Sequence, residues 1–413
     1  MPTVSDKQRL FDIAIVGGGL VGASLACALS STGLQVIVIE AVPFKSDSQP
    51  SYTERMLALS YSTKNILAAT GVWPDVMKRD ATPIKSIHIS DRGHSGFTRL
   101  SHTDVDVEAL GYIVPARVLG QALIFYLENT DVEIVCPGRV RGISYDQDCA
   151  ILEVDSDGTQ TAIRSRLIVV ADGGRSSARE WLGIRAVTRD YGQTAILTTV
   201  TPHRDHENKA YERFTATGPL ALLPTSNNRY AVVWTVKTAQ TSILLNLADQ
   251  EFLDNLQCRF GDRAGEFVKL GQRKAYPLSL VRVPNPVAHR AVFIGNAAHT
   301  LHPVAGQGFN LGLRDVAVLA EVLNKASQRS DDIGSISVLN GYVDWRRRDT
   351  RATVAFTDGL VRLFSNESTP LALLRGASMV AVDIFPPLKR TLLRHTMGLG
   401  GKVPKMGLGL PLE

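Results

Sequence analysis

Short apolar runs alternate with amphipathic stretches along the first 190 residues, and again over residues 285–345. Residues 11–16 and 35–39 are almost wholly apolar and predict buried strands, while residues 23–31 between them predict a helix. Strands that alternate with helices in this way are typical of an α/β fold built on an open parallel sheet.

The pattern changes between residues 191 and 283, where β-branched residues dominate and the helical periodicity is lost. This region predicts an inserted antiparallel sheet, with a helix over residues 244–260 packed on it. Residues 218–224 (GPLALLP) form an apolar stretch with rigid ends. They predict either a loop that walls a hydrophobic pocket or an internal core strand.

Composition and charge narrow the class of protein. The 413 residues are 44% hydrophobic and 21% charged, which favours a folded protein of two or three closely packed domains. The net charge is +5, but no basic block with interleaved aromatics occurs in the first 340 residues, so we expect no nucleic-acid partner. The chain also shows no secretory leader and no run of 18 apolar residues, so we expect a cytoplasmic protein that does not span a membrane.

Cysteine and histidine spacing argues against a metal or disulfide scaffold. Cys27, Cys136, Cys149 and Cys258 are scattered without the CxxC spacing of zinc sites, so we expect reduced thiols. The histidines of residues 88–102 are not spaced as metal ligands. We therefore predict no metal.

A glycine-rich turn follows the first predicted strand directly. Gly17 allows a tight turn, Gly19 lets backbone approach a pyrophosphate, and Gly22 lets the next helix pack close to the strand. Glu40 ends the second strand, 21 residues past Gly19, where a carboxylate can accept hydrogen bonds from an adenosine ribose. The motif predicts dinucleotide binding, and the alternatives are a chance glycine turn and a solvated acid.

A second glycine-rich segment, residues 293–315, joins a predicted strand to a helix over residues 310–326. Small residues before a helix let a large ligand lie on bare backbone, and the first-turn amides favour electron-rich atoms. We predict a cofactor-binding site here, and the alternative is an ordinary strand-to-helix turn. Its candidate residues are Gly295, Asn296, His299, Pro303, Gly306, Gln307, Gly308 and Asn310.

Four further residues have chemistry of their own. Asp172 and Gly173 follow the predicted buried strand 167–171, at the strand end where open α/β sheets bind ligands, although an Asp-Gly turn is the alternative. Arg117 is predicted near a helix start and Arg55 beside an apolar segment. Either arginine can face an anion, and for Arg55 a solvent-facing position is equally consistent.

The last 43 residues are basic and rich in leucine, with six Lys or Arg against two acids. Such a tail can lie on an anionic membrane surface, or it can form a helix packed on the protein body with lysines reaching outward. The pattern leaves both readings open.

Three motifs, namely residues 17–22, Asp172-Gly173 and residues 295–315, together resemble those of the single-component FAD-dependent aromatic hydroxylases. Within the third motif, residues 302–315 (HPVAGQGFNLGLRD) are similar to the signature of the ubiquinone-biosynthesis hydroxylases. Gly295-Asn296 in place of Gly-Asp, and the FPPLKR stretch at 385–390, resemble the branch acting on 2-polyprenyl-6-methoxyphenol. The likeness runs from about residue 10 to residue 400.

The resemblance implies an α/β fold with a Rossmann-type FAD-binding domain, an inserted antiparallel β-sheet substrate domain and a helical C-terminal region. We interpret the FAD-binding segments as residues 1–80, 106–188 with a β-meander, and 285–345; the substrate-domain segments as 81–105 and 189–284; and the helical region, which can face a membrane, as 346–413.

The resemblance also implies site residues. The pyrophosphate would lie on Gly17, Gly19 and Gly22, and the adenosine ribose on Glu40. Arg117 would face a phosphate or a neighbouring oxygen, and Arg55 would face the cofactor. Asn296 would meet the ribityl chain or pyrophosphate. The flavin ring would be lined by Gly306, Gln307, Gly308 and Asn310, while Asp172 and Gly173 would contact FAD and NAD(P)H.

The implied activity is hydroxylation of a polyprenylated phenol through a flavin C4a-hydroperoxide, with NAD(P)H and O2 as co-substrates. His299 is a candidate base, with a structural role as its alternative, and Pro303 and Gly306 are the other candidate catalytic positions. The expected partners are the phenol, the inner membrane surface, and a homo-oligomer or biosynthetic complex. Hydroxylation at another ring position, a soluble aromatic substrate, and a non-catalytic FAD-binding scaffold are the alternatives.

Overall fold

A computed structural model describes residues 9–44, 49, 53–94, 96–301, 306–364 and 369–412, with side chains omitted at 360–364 and 369–374. The predicted loop at residues 46–53 lies mostly outside the described residues.

The strands, in chain order, are β1 (Leu10–Val16), β2 (Val36–Ile39), β3 (Met56–Ser60), β4 (Thr82–Ile84), β5 (Ser86–Asp91), β6 (Phe97–Ser101), β7 (Gly111–Pro115), β8 (Glu133–Val135), β9 (Arg139–Tyr145), β10 (Ala150–Ser156), β11 (Thr159–Val170), β12 (Val187–Pro202), β13 (Lys209–Thr215), β14 (Gly218–Thr225), β15 (Arg229–Lys237), β16 (Phe267–Leu270), β17 (Lys274–Arg282), β18 (Val287–Ala288), β19 (Ala291–Phe293) and β20 (His299–Thr300).

The helices are α1 (Leu20–Leu29), α2 (Tyr61–Ala69), α3 (Trp73–Arg79), α4 (Ala116–Leu127), α5 (Ser177–Trp181), α6 (Thr241–Asn246), α7 (Asp249–Phe260), α8 (Gln307–Gln328), α9 (Ile336–Phe364), α10 (Thr369–Ile384) and α11 (Pro386–Thr396).

The first sheet has the order β18-β19-β11-β1-β2-β8, and its strands from β19 to β8 run parallel. Alternate residues of β1 face opposite sides: Ile13 and Ile15 join the core formed with α1, α4 and α8, while Ala14 and Val16 join the core under the β9–β10–β11 meander. This is the predicted α/β fold, with helices on one face and an antiparallel meander on the other.

The meander differs from the prediction in one respect. The predicted strand 167–171 is continuous with the last meander strand, so that β11 pairs antiparallel with β10 through its first half and parallel with β1 through its second. The turn at Asp157 and Gly158 is the predicted hairpin, with φ angles of 50° and 82°.

The second sheet has the order β20-β17-β12-β15-β14-β13-β5-β6 and is antiparallel except where β5 runs parallel to β13. The strand β5 comes from an earlier part of the chain and brings β6 with it as an antiparallel neighbour at the edge of this sheet. A smaller sheet, β3-β7-β4, lies in the chain before the meander. Residues 218–224 lie in strand β14, so the predicted internal strand is confirmed and the predicted loop is wrong, although Ala221 and Leu223 do line a cavity.

The helix predicted over residues 244–260 is interrupted. Helix α6 ends before Leu247, which has an extended backbone, and α7 begins after Ala248, whose amide donates to a Glu251 side-chain oxygen at 3.2 Å. This local capping outweighs the continuous apolar periodicity. The buried face of α7, with Phe252, packs on the second sheet.

The C-terminal helices pack on the second sheet. The Thr98 hydroxyl donates to the Met379 carbonyl oxygen at 2.8 Å, and a guanidinium nitrogen of Arg99 lies 2.9 Å from Asp383. Arg375 and Asp91 form an ion pair at 3.0 Å in which both side chains are buried. The helices α10 and α11 therefore lie against the protein body. No helix in the described part of the chain is long and apolar enough to cross a bilayer.

Candidate active site

The turn between β1 and α1 requires glycine at two positions for different reasons. Gly17 has a φ of +103°, and a β-carbon there would lie 2.6 Å from the Ala171 carbonyl oxygen. A β-carbon on Gly22 would lie 1.9 Å from the Gly17 carbonyl oxygen. Gly19 is the N-cap of α1 and has no side chain to cover the first-turn amides. The turn thus has the close packing and open backbone of a phosphate cradle.

Glu40 is buried at the end of β2 and is held by backbone. One carboxylate oxygen accepts a hydrogen bond from the Gly18 amide at 2.7 Å, and the other accepts from the Val42 amide at 2.8 Å. Because a carboxylate has about four acceptor sites, two remain for a ligand. The structure therefore fixes Glu40 beside the glycine turn.

Asp172 leaves an acceptor without a partner. Its Oδ2 atom accepts a long hydrogen bond of 3.4 Å from the Ala178 amide, whereas Oδ1 is buried with no partner among the described residues. Burial raises the pKa of Asp172 despite opposing hydrogen bonds from Ser176 and Ala178. Gly173 has a φ of +88°, with open space where a side chain would stand. A buried acceptor beside bare backbone is a fitting contact for a ligand hydroxyl or amide.

The late glycine segment packs against the first one. A β-carbon on Gly295 would lie 3.0 Å from Val21, and one on Gly312 would lie 3.1 Å from the same side chain. Val21 is the second residue of α1 and lies between Gly19 and Gly22. The fold therefore brings together motifs almost 300 positions apart. Asn296, the neighbour of Gly295, is exposed at this junction.

Gly306 and Asn310 fix the start of α8. Gly306 is the N-cap, with a φ of +61°, and its β-carbon position is 2.8 Å from the Ala58 side chain. The Asn310 amide nitrogen donates to the carbonyl oxygens of Gly306 and Ala58, each at 2.8 Å. The Asn310 oxygen accepts from the Ser60 amide at 2.9 Å and the Thr63 hydroxyl at 2.8 Å. Asn310 is thus fully hydrogen-bonded within the protein and positions the backbone before α8.

The neighbouring residues leave backbone accessible. Gly308 has open space around its β-carbon position, and Gln307 is buried. Pro303 lies outside the described residues, so its predicted role stays a prediction.

His299 is buried in an ion-pair network behind this segment. Its Nε2 atom lies 2.6 Å from Asp315, whose other oxygen accepts from Arg346 Nε at 2.7 Å. Burial by itself would raise the pKa of Asp315, but His299 and Arg346 outweigh it and hold that pKa below its ordinary value. His299 is not among the residues that line the cavity described next. This placement favours the structural alternative.

The arginines predicted to face phosphate have different surroundings. Arg117 forms an ion pair with Glu54, and both side chains are exposed. Arg55 lines the cavity, although part of its side chain stays exposed. Its partial burial lowers the pKa of Arg55, and the charge interaction with Tyr276 raises that pKa. Their roles toward phosphate stay predictions.

A cavity of about 710 Å³ lies where α8, the second sheet and the C-terminal helices meet. Its lining is mostly apolar and comes from β3, β5, β13, β14, α10 and α11, with Gly306, Gln307 and Asn310 at one side. Pockets of this size that combine apolar walls with a few polar groups are typical small-molecule sites. The described residues contain no cluster of three His, Cys, Asp or Glu that could hold a metal ion.

One polar residue of the cavity, Glu212, has no counterpart among the sequence predictions. It lies in β13 between Ala210 and Phe214, which face the same side of the strand. The signal was present in the sequence, since period-2 alternation places an acid at an inward position between two apolar residues.

Comparisons with known proteins show the family and the fold. The model of a family described as the FAD binding domain matches residues 11–357. The chain is 40% identical to ubiquinone hydroxylase UbiL of Rhodospirillum rubrum, over 100% of this chain and 96% of that protein. It is 32% identical to 3-demethoxyubiquinol 3-hydroxylase of Escherichia coli K12, over 94% of this chain and 98% of that protein.

The crystal structure of p-nitrophenol 4-monooxygenase PnpA from Pseudomonas putida superposes with a TM-score of 0.77 at 19% identity, covering 95% of this chain and 99% of that chain. At this identity the likeness shows the fold alone. Fold, glycine motifs and family match together define a FAD-dependent aromatic monooxygenase. The chain belongs to the family of FAD-dependent ubiquinone-biosynthesis hydroxylases.

Proposed function

We propose that the chain hydroxylates the aromatic ring of a polyprenylated phenol, 2-polyprenyl-6-methoxyphenol, in ubiquinone biosynthesis. The observation that carries this proposal is the apolar cavity of about 710 Å³, which is bounded by the start of α8 on one side and by α10 and α11 on another. An apolar chamber suits a prenylated ring, and its walls exclude the water that would compete with oxygen transfer.

We propose a set of FAD contacts that the geometry above supports. Gly17, Gly19 and Gly22 would hold the pyrophosphate, and Glu40 the adenosine ribose through its remaining acceptor sites. Asn296 and Arg117 would face the ribityl and phosphate region. The flavin ring would lie against the backbone of residues 306–308, while Asn310 holds that backbone in place.

FAD, reduced by NAD(P)H, supplies oxygen activation when bound. The protein supplies position and polarity. The backbone amides at the start of α8 have no side-chain cap, and their dipoles would stabilise negative charge on the bound flavin. The unpartnered Asp172 oxygen is a hydrogen-bond acceptor for FAD or for the nicotinamide donor.

We further propose that the enzyme takes its substrate from a membrane surface. Ile384, Phe385 and Leu388, at the junction of α10 and α11, are 65%, 57% and 51% exposed. Arg390 and Arg394 of α11 are exposed, and Leu392 of α11 lines the cavity. An exposed apolar patch with adjacent cations fits an anionic bilayer surface.

The test is quinone-intermediate profiling of a strain that lacks this protein. We expect 2-polyprenyl-6-methoxyphenol to accumulate, and the wild-type gene to remove it. Accumulation of a later ring intermediate would reject the assigned position while leaving the enzyme class intact.

A second candidate position is supported by one comparison. The Escherichia coli relative is named for hydroxylation at carbon 3 of a demethoxyubiquinol. If this chain acts there, the deletion strain would accumulate the demethoxylated quinone, and the same profile separates the two candidates.

A further inference from the structure

Glu212 stands at the centre of an apolar strand face that the proposed FAD contacts do not use. In β13 its neighbours on the same face are Ala210 and Phe214. Across the sheet it pairs with Ala221 of β14 and with Ile89 of β5. All five residues line the cavity that also contains Gly306 and Asn310.

Among the described residues, no hydrogen bond or ion pair reaches the Glu212 carboxyl group, and neither kind of contact shifts its pKa. Burial alone raises the pKa of Glu212 to about 7. Glu212 is half-buried in the strand, and enclosing an acid without a partner among apolar side chains costs folding free energy. An acid with a raised pKa that faces a cavity indicates a functional contact with a ligand.

Other titratable groups of the cavity are engaged elsewhere or lie on other elements. Arg375 of α10 is paired with Asp91, Glu54 pairs with Arg117, and Arg55 lies beside Tyr276. The remaining titratable groups of the lining are Tyr211, Arg229 and Lys274. None of them contributes to the shift at Glu212, which has burial as its only cause.

We propose that Glu212 is the residue that receives the phenol hydroxyl of the aromatic substrate and takes its proton during ring hydroxylation. This inference rests on the proposed function and names the polar anchor in its site. The apolar neighbours hold the ring and its prenyl chain, and the carboxylate supplies the single polar contact that orients the hydroxyl.

The step needs the substrate, one side chain, O2 and two electrons from NAD(P)H. The phenol O–H bond breaks, the proton moves to a Glu212 carboxylate oxygen, and the electron pair left on oxygen is shared with the ring carbons ortho and para to it. One of these carbons forms the new C–O bond with one oxygen atom of O2. The O–O bond breaks in that step, and its electron pair goes to the other oxygen atom. That oxygen atom takes up two protons, one of them lost by the hydroxylated ring carbon, and leaves as water. The phenol oxygen regains a proton from Glu212. Bound FAD would carry the two electrons from NAD(P)H and supply the oxygen activation. A base with a pKa near the working pH suits this exchange.

The first test measures binding without turnover. The probes are 2-geranyl-6-methoxyphenol and its O-methyl ether, titrated into the oxidised FAD-loaded enzyme with no NAD(P)H. At pH 8.5 we expect wild type to bind the phenol about tenfold more tightly than the ether, because a hydrogen bond to a carboxylate is lost in the ether. This preference should shrink as the pH falls through about 7.

Glu212→Gln should show a smaller preference that does not change with pH. Glu212→Asp should retain the pH dependence at reduced affinity, and Glu266→Gln, an exposed acid in the same domain, should behave as wild type. During turnover, Glu212→Gln should lower kcat about 100-fold and remove the limb near pH 7.

Equal phenol preference and equal pH dependence in wild type and Glu212→Gln would overturn the role of Glu212 while leaving the proposed function standing. If wild type binds neither probe, the proposed function fails and this inference fails with it.

Discussion

At the scale of residues, Gly22 tests whether the first turn is the FAD cradle. A methyl group there would lie 1.9 Å from a backbone oxygen, which no side-chain movement can relieve. We expect Gly22→Ala to displace the Gly17 carbonyl and raise the dissociation constant of FAD at least tenfold, measured by flavin fluorescence, with destabilisation of ~2 kcal/mol.

Gly341 provides the matched control, because it lies in helix α9 with no atom within 4 Å of its β-carbon position. Gly341→Ala should leave FAD affinity unchanged and stabilise the protein by ~0.5 kcal/mol. Similar FAD affinities in the two variants would contradict the assignment of the cradle.

Glu212 predicts a pH dependence of stability. Its pKa is about 7 in the folded protein and ~4.3 in an unfolded chain, so between these values the folded state binds more protons. Folded stability should therefore fall as the pH rises from about 4.3 to 7. We expect the free energy of unfolding of Glu212→Gln, measured with urea and compared with that of wild type, to be higher at pH 8 than at pH 5. An equal difference at both pH values would refute the shifted pKa.

Sequence reasoning reached the glycine residues because their steric demands are local. Gly17 and Gly22 act within one turn, and Glu40 follows at a fixed strand length. Asn310 shows the limit, since all its partners other than Gly306 lie about 250 positions earlier in the chain. The inward direction of Glu212 was readable from strand alternation, but its lack of a partner depends on the residues that other strands bring beside it.

At the scale of elements, Asp315 joins α8 to its surroundings. It accepts hydrogen bonds from His299 Nε2 at 2.6 Å, Arg346 Nε at 2.7 Å and the Gly295 amide at 3.1 Å. Asp315→Asn would leave the buried Arg346 without its full partner. We expect a loss of ~3 kcal/mol in denaturant unfolding.

Asp344→Asn is the control, because Asp344 lies in α9 with 69% of its side chain exposed and, within the described part of the chain, pairs only with exposed Arg347 at 3.3 Å. Its cost should stay below ~1 kcal/mol. Because the pKa of Asp315 is held low, its contribution is present above its ordinary pKa of ~3.9 and is lost as the pH falls below that value. Equal costs for the two substitutions would contradict the network.

The junction of α10 and α11 predicts membrane binding. Replacing Ile384, Phe385 and Leu388 together by serine should reduce sedimentation with vesicles rich in phosphatidylglycerol at least tenfold, since each inserted side chain contributes ~1 kcal/mol or more. The control replaces Ile243, Val268 and Ile336, which are 64%, 53% and 55% exposed on other elements. Equal loss in both variants, or no binding by wild type, would reject the surface.

Elements with strong local signals were predicted well. Strand β1, helix α1 and the Asp157-Gly158 hairpin follow from patterns within about 20 residues. The break before α7 depends on one capping bond, and the continuity of β11 depends on two different neighbouring strands. Neither feature is visible in periodicity alone.

At the scale of the whole molecule, the cavity is assembled from segments spread along the chain. Strand β3, strand β13, the start of α8 and helices α10 and α11 each contribute a wall. The sequence predicted the helix that begins near residue 310, the inserted antiparallel sheet, and a choice between a membrane-lying and a packed tail, each separately. The structure shows packed helices that also keep an apolar patch exposed. The elements that line the cavity meet through contacts between residues far apart in the chain, and a local sequence pattern does not contain such contacts.

The central claim is that one cavity receives both the flavin ring and the phenol. Its most direct test is a crystal structure of the protein with FAD and 2-geranyl-6-methoxyphenol. The account predicts the flavin ring against the backbone of residues 306–308, with the phenol in the cavity and its hydroxyl within hydrogen-bond distance of Glu212. A flavin ring away from that backbone, or a phenol bound outside the cavity, would contradict it.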